Sequence, residues 1–199
     1  EAFGWDAPTY IHVAMVLGED GTKLSKRNGD ASFMDLYNDG YLPEAIVNYL
    51  VLLGWSPNTN QEIFTMDELI KEFDPKRISK SSSQYDVKKL NWVNSHYMKK
   101  LDIDSLIKIT VPHLKNAYDL NGKNDEWLKH LVSIYKDHIS YGKEIVECTE
   151  LFFKEDIEIN GEALEFMNDE TIPNTIKVFK EEIETITDWS VENISKAIN

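Results

Sequence analysis

From residue 42 onward the apolar residues of this chain recur with a helical period, and nothing else in the sequence restricts its fold as much. Leu42-Pro43-Glu44 opens the first such stretch, with Pro43 suited to a first helical turn. Ala45, Ile46, Tyr49, Leu50 and Leu53 keep the 3.6-residue spacing of one face, and Gly54 stands where a helix end favours glycine. The run Ala45 to Trp55 is the most apolar in the chain, yet it contains Asn48. Thr65-x-x-Glu68 has the form of a capping box ahead of Leu69, Ile70 and Phe73. Asp86 opens a helix to about Leu101, with Val87, Leu90, Val93, Asn94, Tyr97 and Leu101 on one face at ~100° per residue. Further helices are expected over 104–118, 125–139, 141–153, 161–168, 173–187 and 190–198. Asn121-Gly122-Lys123-Asn124 and Glu158-Ile159-Asn160-Gly161 break them.

The start of the chain reads differently. Thr9 to Leu17 (TYIHVAMVL) is β-branched, aromatic and partly alternating, and runs into Gly18-Glu19-Asp20-Gly21. That predicts a strand entering a tight turn. Ser79 to Ser83 holds four serines and is expected to be a loop. The fold class expected is mainly α: a short N-terminal β-hairpin or loop region followed by two small helical bundles, parted near residue 101.

The formal net charge of -14 on 199 residues argues, as an average, against a nucleic-acid partner. Position changes that inference. Residues 101–199 hold 10 basic and 21 acidic side chains, whereas residues 71–100 hold 8 basic and 3 acidic. The basic island is open to two readings, a solvated helical face or a phosphate-contacting surface. Lys88 and Lys99 share the face of the 86–101 helix opposite its apolar side, and Lys89 and Lys100 share a flank. Trp92 projects on the lysine side, where packing against a neighbouring domain and stacking on a base both stand open. Cys148 is the single cysteine, so no intrachain disulfide can form and a reducing compartment is the simplest expectation. No apolar run approaches the roughly 18 residues that span a bilayer.

The stretch with chemical content is Asp20-Gly21-Thr22-Lys23-Leu24-Ser25-Lys26-Arg27-Asn28-Gly29. Three cations and one hydroxyl lie within the five residues 23–27, between two glycines. Glycine lets backbone approach a ligand closely, and lysine is a flexible point charge suited to phosphate oxygens. Such a loop suits closure over a triphosphate; by composition alone that signal is weak and a solvated hairpin tip is the favoured reading.

Lys-Leu-Ser-Lys-Arg resembles the Lys-Met-Ser-Lys-Ser motif of class I aminoacyl-tRNA synthetases. In order, Pro8-x-Tyr10-x-His12, DGTKLSKRNGDAS, GYLPEAIVNYLVLLGWS and FD…RISKSSSQYDVKKLNWVNSHYM resemble bacterial glutamyl-tRNA synthetases, from Trp5 to about Leu101. The helical remainder carries weaker motifs of the same family. The resemblance implies three parts: the end of a catalytic module over 1–30, a helical stem-contact domain over 31–101, and the first part of a helical anticodon-side region over 102–199.

The resemblance also implies roles. Lys26 matches the second motif lysine, which contacts ATP and stabilises the transition state of amino-acid activation. Lys23 matches the first lysine and shapes the loop or assists at the phosphates. Leu24, Ser25 and Arg27 complete the ATP-binding motif, Arg27 replacing its final serine. His12 matches a family histidine before the loop; packing beneath the hairpin is its other reading. Lys76, Arg77, Lys80, Lys88, Lys89, Lys99 and Lys100 become candidates for tRNA backbone contacts, which position without specifying sequence. Asn48, Tyr49 and Trp55 are assigned to core and domain packing. The implied partners are tRNA(Glu), ATP with Mg²⁺ and L-glutamate, in a cytoplasmic monomer with no protein-bound metal and no membrane contact.

The family's His-Ile-Gly-His motif does not occur in the sequence, and the first residue is Glu1. The chain is therefore expected to be an internal fragment, without the glutamate pocket or the last anticodon domain. Alternatives are a glutaminyl or archaeal-type synthetase, whose anticodon domains are β-barrels, a non-catalytic helical RNA-binding module, or a plain helical interaction domain. The purified chain alone is expected not to form glutamyl-adenylate. Glutamate-dependent ATP–pyrophosphate exchange by it would contradict that expectation.

Overall fold

The computed structural model describes residues 3–18, 20–24, 32–154 and 161–198. Two strands of two residues are seen among them, β1 (Val16–Leu17) and β2 (Ser83–Gln84); the rest of the ordered secondary structure is helical. The mainly α expectation holds. Helices α1 (Phe33–Asn38), α2 (Pro43–Gly54), α3 (Met66–Glu72), α4 (Val87–Met98), α5 (Ile103–Ala117), α6 (Asp125–Tyr135) and α7 (Ile145–Cys148) belong to one compact unit, Glu1–Phe153. Helices α8 (Gly161–Met167), α9 (Ile172–Glu184) and α10 (Val191–Ile198) belong to a second, Lys154–Asn199.

Local chemistry sets the helix ends. Pro43 sits in the first turn of α2, where its missing N–H costs no bond. Thr65 and Glu68 close the capping box of α3, and Ser32 and Asp35 form a second one at α1. The Asp86 side chain accepts from Lys89 N at 3.1 Å to cap α4, and Asp102 and Asn124 cap α5 and α6 in the same way.

Three apolar clusters form inside the first unit. Leu36, Ala45, Ile46, Tyr49, Leu90 and Val93 join α1, α2 and α4. Trp55, Phe64 and Leu69 seat α3. Leu106, Leu114, Leu128, Leu131, Val132, Ile139 and Ile145 join α5, α6 and α7, and Met98 from the last turn of α4 is buried with them. In the second unit Ile172 is the one described hydrophobic residue that is buried, although Ile176, Val178 and Phe179 lie on the same helix.

Several boundaries differ from the sequence expectation. The strand expected over Thr9–Leu17 is reduced to Val16–Leu17. Phe3, Trp5, Tyr10, Ile11, Val13 and Met15 are exposed, so the preceding segment has no apolar surface to lie on. The turn after β1 does fold back, with an antiparallel bridge between Leu17 and Lys23, but β1 pairs along its length with β2, in parallel. Gly54 is the last helical residue of α2 without a left-handed φ; its carbonyl accepts from Ser79 N at 2.7 Å. The helix expected over 141–153 is broken into a 3₁₀ turn (Gly142–Glu144), α7 and a second 3₁₀ turn (Glu150–Phe152). Gly142 N and Lys143 N donate instead to Gly40 O and Asp39 O, and the Thr149 hydroxyl binds Ile145 O at 2.7 Å where α7 stops.

Asn48, polar within the most apolar run, explains how the 55–64 connection is held. It is fully buried. Its Nδ2 donates to Glu62 O at 2.9 Å and its Oδ1 accepts from Phe64 N at 2.8 Å. The Tyr97 hydroxyl lies 2.7 Å from the same oxygen, and burial pushes that phenol up to about 12. Asn48→Ala is expected to cost about 2–4 kcal/mol, because it strands buried backbone groups. The shift of the urea midpoint measures it; a loss under about 0.5 kcal/mol contradicts the assignment.

Candidate nucleotide and RNA interface

The candidate nucleotide loop begins in a turn built by Asp20, Gly21 and Thr22. The Asp20 carboxylate accepts from Thr22 N at 2.9 Å and from the Thr22 hydroxyl at 2.8 Å. Those bonds, the backbone one foremost, hold its pKa below the ordinary carboxylate value. Gly21 has φ +75°, a conformation that side-chain-bearing residues rarely adopt. Gly18 N donates to Thr22 O at 2.8 Å and Leu24 N to Val16 O at 3.3 Å, so Lys23 and Leu24 leave the turn on a hydrogen-bonded stem. Ser25, Lys26 and Arg27 lie outside the described residues. His12 is exposed on the segment before β1.

The partner of that stem was not legible from local pattern. β2 pairs with β1 in the register Val16–Ser83 and Leu17–Gln84, and Tyr85 N donates to Leu17 O at 2.8 Å. Asp86 N then donates to the Tyr49 hydroxyl at 2.7 Å, and Asp86 caps α4. Burial pushes the Tyr49 phenol up to about 12. The loop stem, the serine-rich segment and the start of the lysine-bearing helix are therefore one hydrogen-bonded assembly, anchored on the buried core of α2.

The basic side chains fall into two groups. Lys76, Lys80, Lys88 and Lys99 are exposed, and their ammonium groups have no ion-pair or hydrogen-bond partner among the described residues. They are placed to meet a solvent-borne anion. Lys89, Arg77 and Lys100 are engaged. Lys89 Nζ pairs with Glu62 Oε1 at 2.6 Å and lies 4.2 Å from the centre of the Trp92 ring. Both pairing side chains are more than a third exposed, so the pair contributes little and yields readily to a competing anion. Lys100 Nζ lies 5.9 Å from the Tyr97 ring. The Arg77 guanidinium donates to Ser56 O at 2.7 Å, Asn58 Oδ1 at 2.5 Å and Pro57 O at 2.6 Å. Three of its five N–H donors fix the loop after α2. Trp92 is 40% exposed, with Lys89 over its ring and His96 against it at 4.5 Å.

Sequence reading missed Glu62 as the partner of Lys89 and the loop-clamping bonds of Arg77. No short-range signal carries either, since the partners are 27 and 19–21 residues away. Among the described residues no group of three His, Cys, Asp or Glu side chains is placed to hold a metal ion. No helix among them is long and apolar enough to cross a membrane.

Residues 1–92 match the family model for tRNA synthetases class I (E and Q), catalytic domain, and residues 105–199 match the model for an anticodon binding domain. The glutamate–tRNA ligase of Bacillus licheniformis is 44% identical over 203 residues, 99% of this chain and 42% of that protein. That of Bacillus subtilis is 41% identical over 204 residues, 100% of this chain and 42% of that protein. A glutamate tRNA ligase from Elizabethkingia meningosepticum, solved in complex with its amino acid, superposes with a TM-score of 0.72 at 27% identity over 98% of this chain and 42% of that one. The glutamate-tRNA synthetase of Elizabethkingia anophelis does so with a TM-score of 0.74 at the same identity. The chain thus spans 42% of the length of the curated relatives it matches.

The two groups of cations separate experimentally. Arg77→Ala is expected to speed hydrogen exchange several-fold at the Ile78 and Ser79 amides, which bond Pro75 O and Gly54 O beside the clamped loop, for a local loss of about 1 kcal/mol. Lys76→Ala should leave those amides unchanged. Equal effects would remove the distinction.

Proposed function

We propose that the chain belongs to the glutamyl branch of the class I tRNA synthetases and is the part of a bacterial-type glutamate–tRNA ligase that carries the phosphate-gripping loop and tRNA-contacting helices. The observation that carries the proposal is the hydrogen-bonded continuity from the 18–24 stem through β2 into α4. That continuity puts a candidate triphosphate loop and a candidate RNA surface on one support. The whole reaction has two steps. A glutamate carboxylate oxygen attacks the α-phosphorus of Mg-ATP, and the bond to the β-phosphate bridge breaks, giving glutamyl-adenylate and pyrophosphate. A hydroxyl of the terminal tRNA ribose then attacks the activated carbonyl; AMP departs and the hydroxyl proton passes to solvent. Neither step needs a protein nucleophile, so positioning and electrostatic stabilisation supply the catalysis.

In this proposal Lys26 meets the triphosphate as charge develops on pyrophosphate, and Lys23, Leu24, Ser25 and Arg27 hold the loop and the nucleotide. Lys76, Lys80, Lys88, Lys99 and Lys100 contact tRNA phosphates. Lys89 joins them by exchanging Glu62 for a phosphate, and Arg77 acts chiefly by holding residues 56–58. Residues 1–30, 31–101 and 102–199 serve as the end of the catalytic module, the stem-contact domain and the start of the anticodon region. The ligase works as a cytoplasmic monomer. The helical character of the described residues within 103–154 and 161–198 supports the bacterial glutamyl type over relatives with β-barrel anticodon domains.

The proposal is tested on two levels. Lys26→Ala in a ligase containing this chain is expected to slow ATP–pyrophosphate exchange by about 10²–10³. An unchanged rate removes the loop's catalytic role. For the chain alone, Lys88→Ala with Lys99→Ala is expected to weaken tRNA binding and lower the salt slope by about one to two. An unaltered slope removes the phosphate-contact role of α4.

A further inference from the structure

Asn94 lies on the core side of α4 and is fully buried. Its carboxamide joins three segments. Oδ1 accepts from Leu42 N at 2.9 Å, just ahead of α2, and Nδ2 donates to Ser140 O, just ahead of the 142–144 turn. The amide orientation follows from its partners, one an N–H and the other a carbonyl. Around it the same segments meet again. Gly142 N donates to Gly40 O at 3.1 Å and Lys143 N to Asp39 O at 2.9 Å. Lys143 Nζ pairs with Asp39 Oδ1 at 2.9 Å. The Tyr41 and Tyr141 rings stack at 4.6 Å with 7° between their planes. A Cβ on Gly40 would lie 2.7 Å from Gly142 Cα, and one on Gly142 would lie 2.6 Å from Ile109 Cγ2. Backbone meets backbone here with no space between.

We propose that this crossing is a fixed-angle joint, with Asn94 as its positioning residue, that holds the lysine face of α4 and residues 103–153 as one rigid footprint for tRNA. The inference rests on the reading of this chain as tRNA-binding. Two surfaces on a rigid support meet one long ligand with the second contact already in place. A loosened joint forfeits that gain, while each surface keeps its own affinity.

The test uses the whole chain and two probes: a full-length tRNA transcript, and a short RNA hairpin able to reach only one of the two surfaces. Asn94→Asp turns a carboxylate toward Ser140 O, Gly142→Ala wedges the crossing, and Tyr141→Leu removes only the stack. Variants with a cooperative thermal transition are expected to bind tRNA about tenfold more weakly, while hairpin binding stays within about twofold. Equal losses for both probes overturn the proposal, since they report damaged surfaces rather than a loosened joint. Unchanged tRNA binding by the folded variants overturns it too. Should the two buried-site variants not fold, Tyr141→Leu at its half-buried position decides by the same criteria. An unaltered chain that fails to bind tRNA refutes the underlying reading, and the joint proposal with it, before any variant is compared.

Discussion

Buried carboxamides hold this molecule's connections. A chain of short helices leaves many N–H and C=O groups at turns, and burying them unpaired costs roughly 1–3 kcal/mol apiece. Asn48 closes the 62–64 connection against α2, and Asn94 closes both the 42 and 140 connections against α4. Among the described residues no buried side-chain nitrogen or oxygen is left without a partner. Helix α4 is thus fixed twice: through Asp86 and Tyr85 to Tyr49 and the strand pair, and through Asn94 to the α5–α7 side. Its lysines are carried by a rod that cannot tilt freely at either end.

That arrangement relates charge to function. The chain's average charge of -14 describes neither of its surfaces. Lys76, Lys80, Lys88 and Lys99 are exposed, with their ammonium groups unpaired among the described residues. Glu62, the ion-pair partner of Lys89, sits in an exposed pair that a phosphate can displace. Residues 105–199 match an anticodon-binding model although residues 101–199 hold 10 basic and 21 acidic side chains, so a segment's average charge does not rule out such a match.

Much of this was legible in the sequence. Pro43, Thr65-x-x-Glu68 and Asp86 each signalled a helix start within four residues, and each start is found where the signal stands. Asn48 and Asn94 were visible as polar residues on apolar faces, but what they bind was not, because their most distant partners lie 49 and 52 residues away. The strand over residues 9–17 was overread because alternation needs a surface to bury against. The helix over 141–153 was overread because Gly142 and Lys143 give their N–H groups to another segment. The motif lysines were legible only through likeness to a family; composition alone favoured a solvated turn. Their setting, a stem paired in parallel with a segment 67 residues on, is a property of tertiary structure.

The central claim is that the 18–24 stem, β2 and α4 form one hydrogen-bonded support, from which the exposed lysines of 76–99 meet tRNA. Hydrogen exchange of the chain with and without tRNA tests it most directly. The account predicts slowed exchange across 76–89 and in the 18–24 stem together, with α9 unaffected. Slowed exchange confined to α8–α10, with none at the stem or at α4, would contradict it.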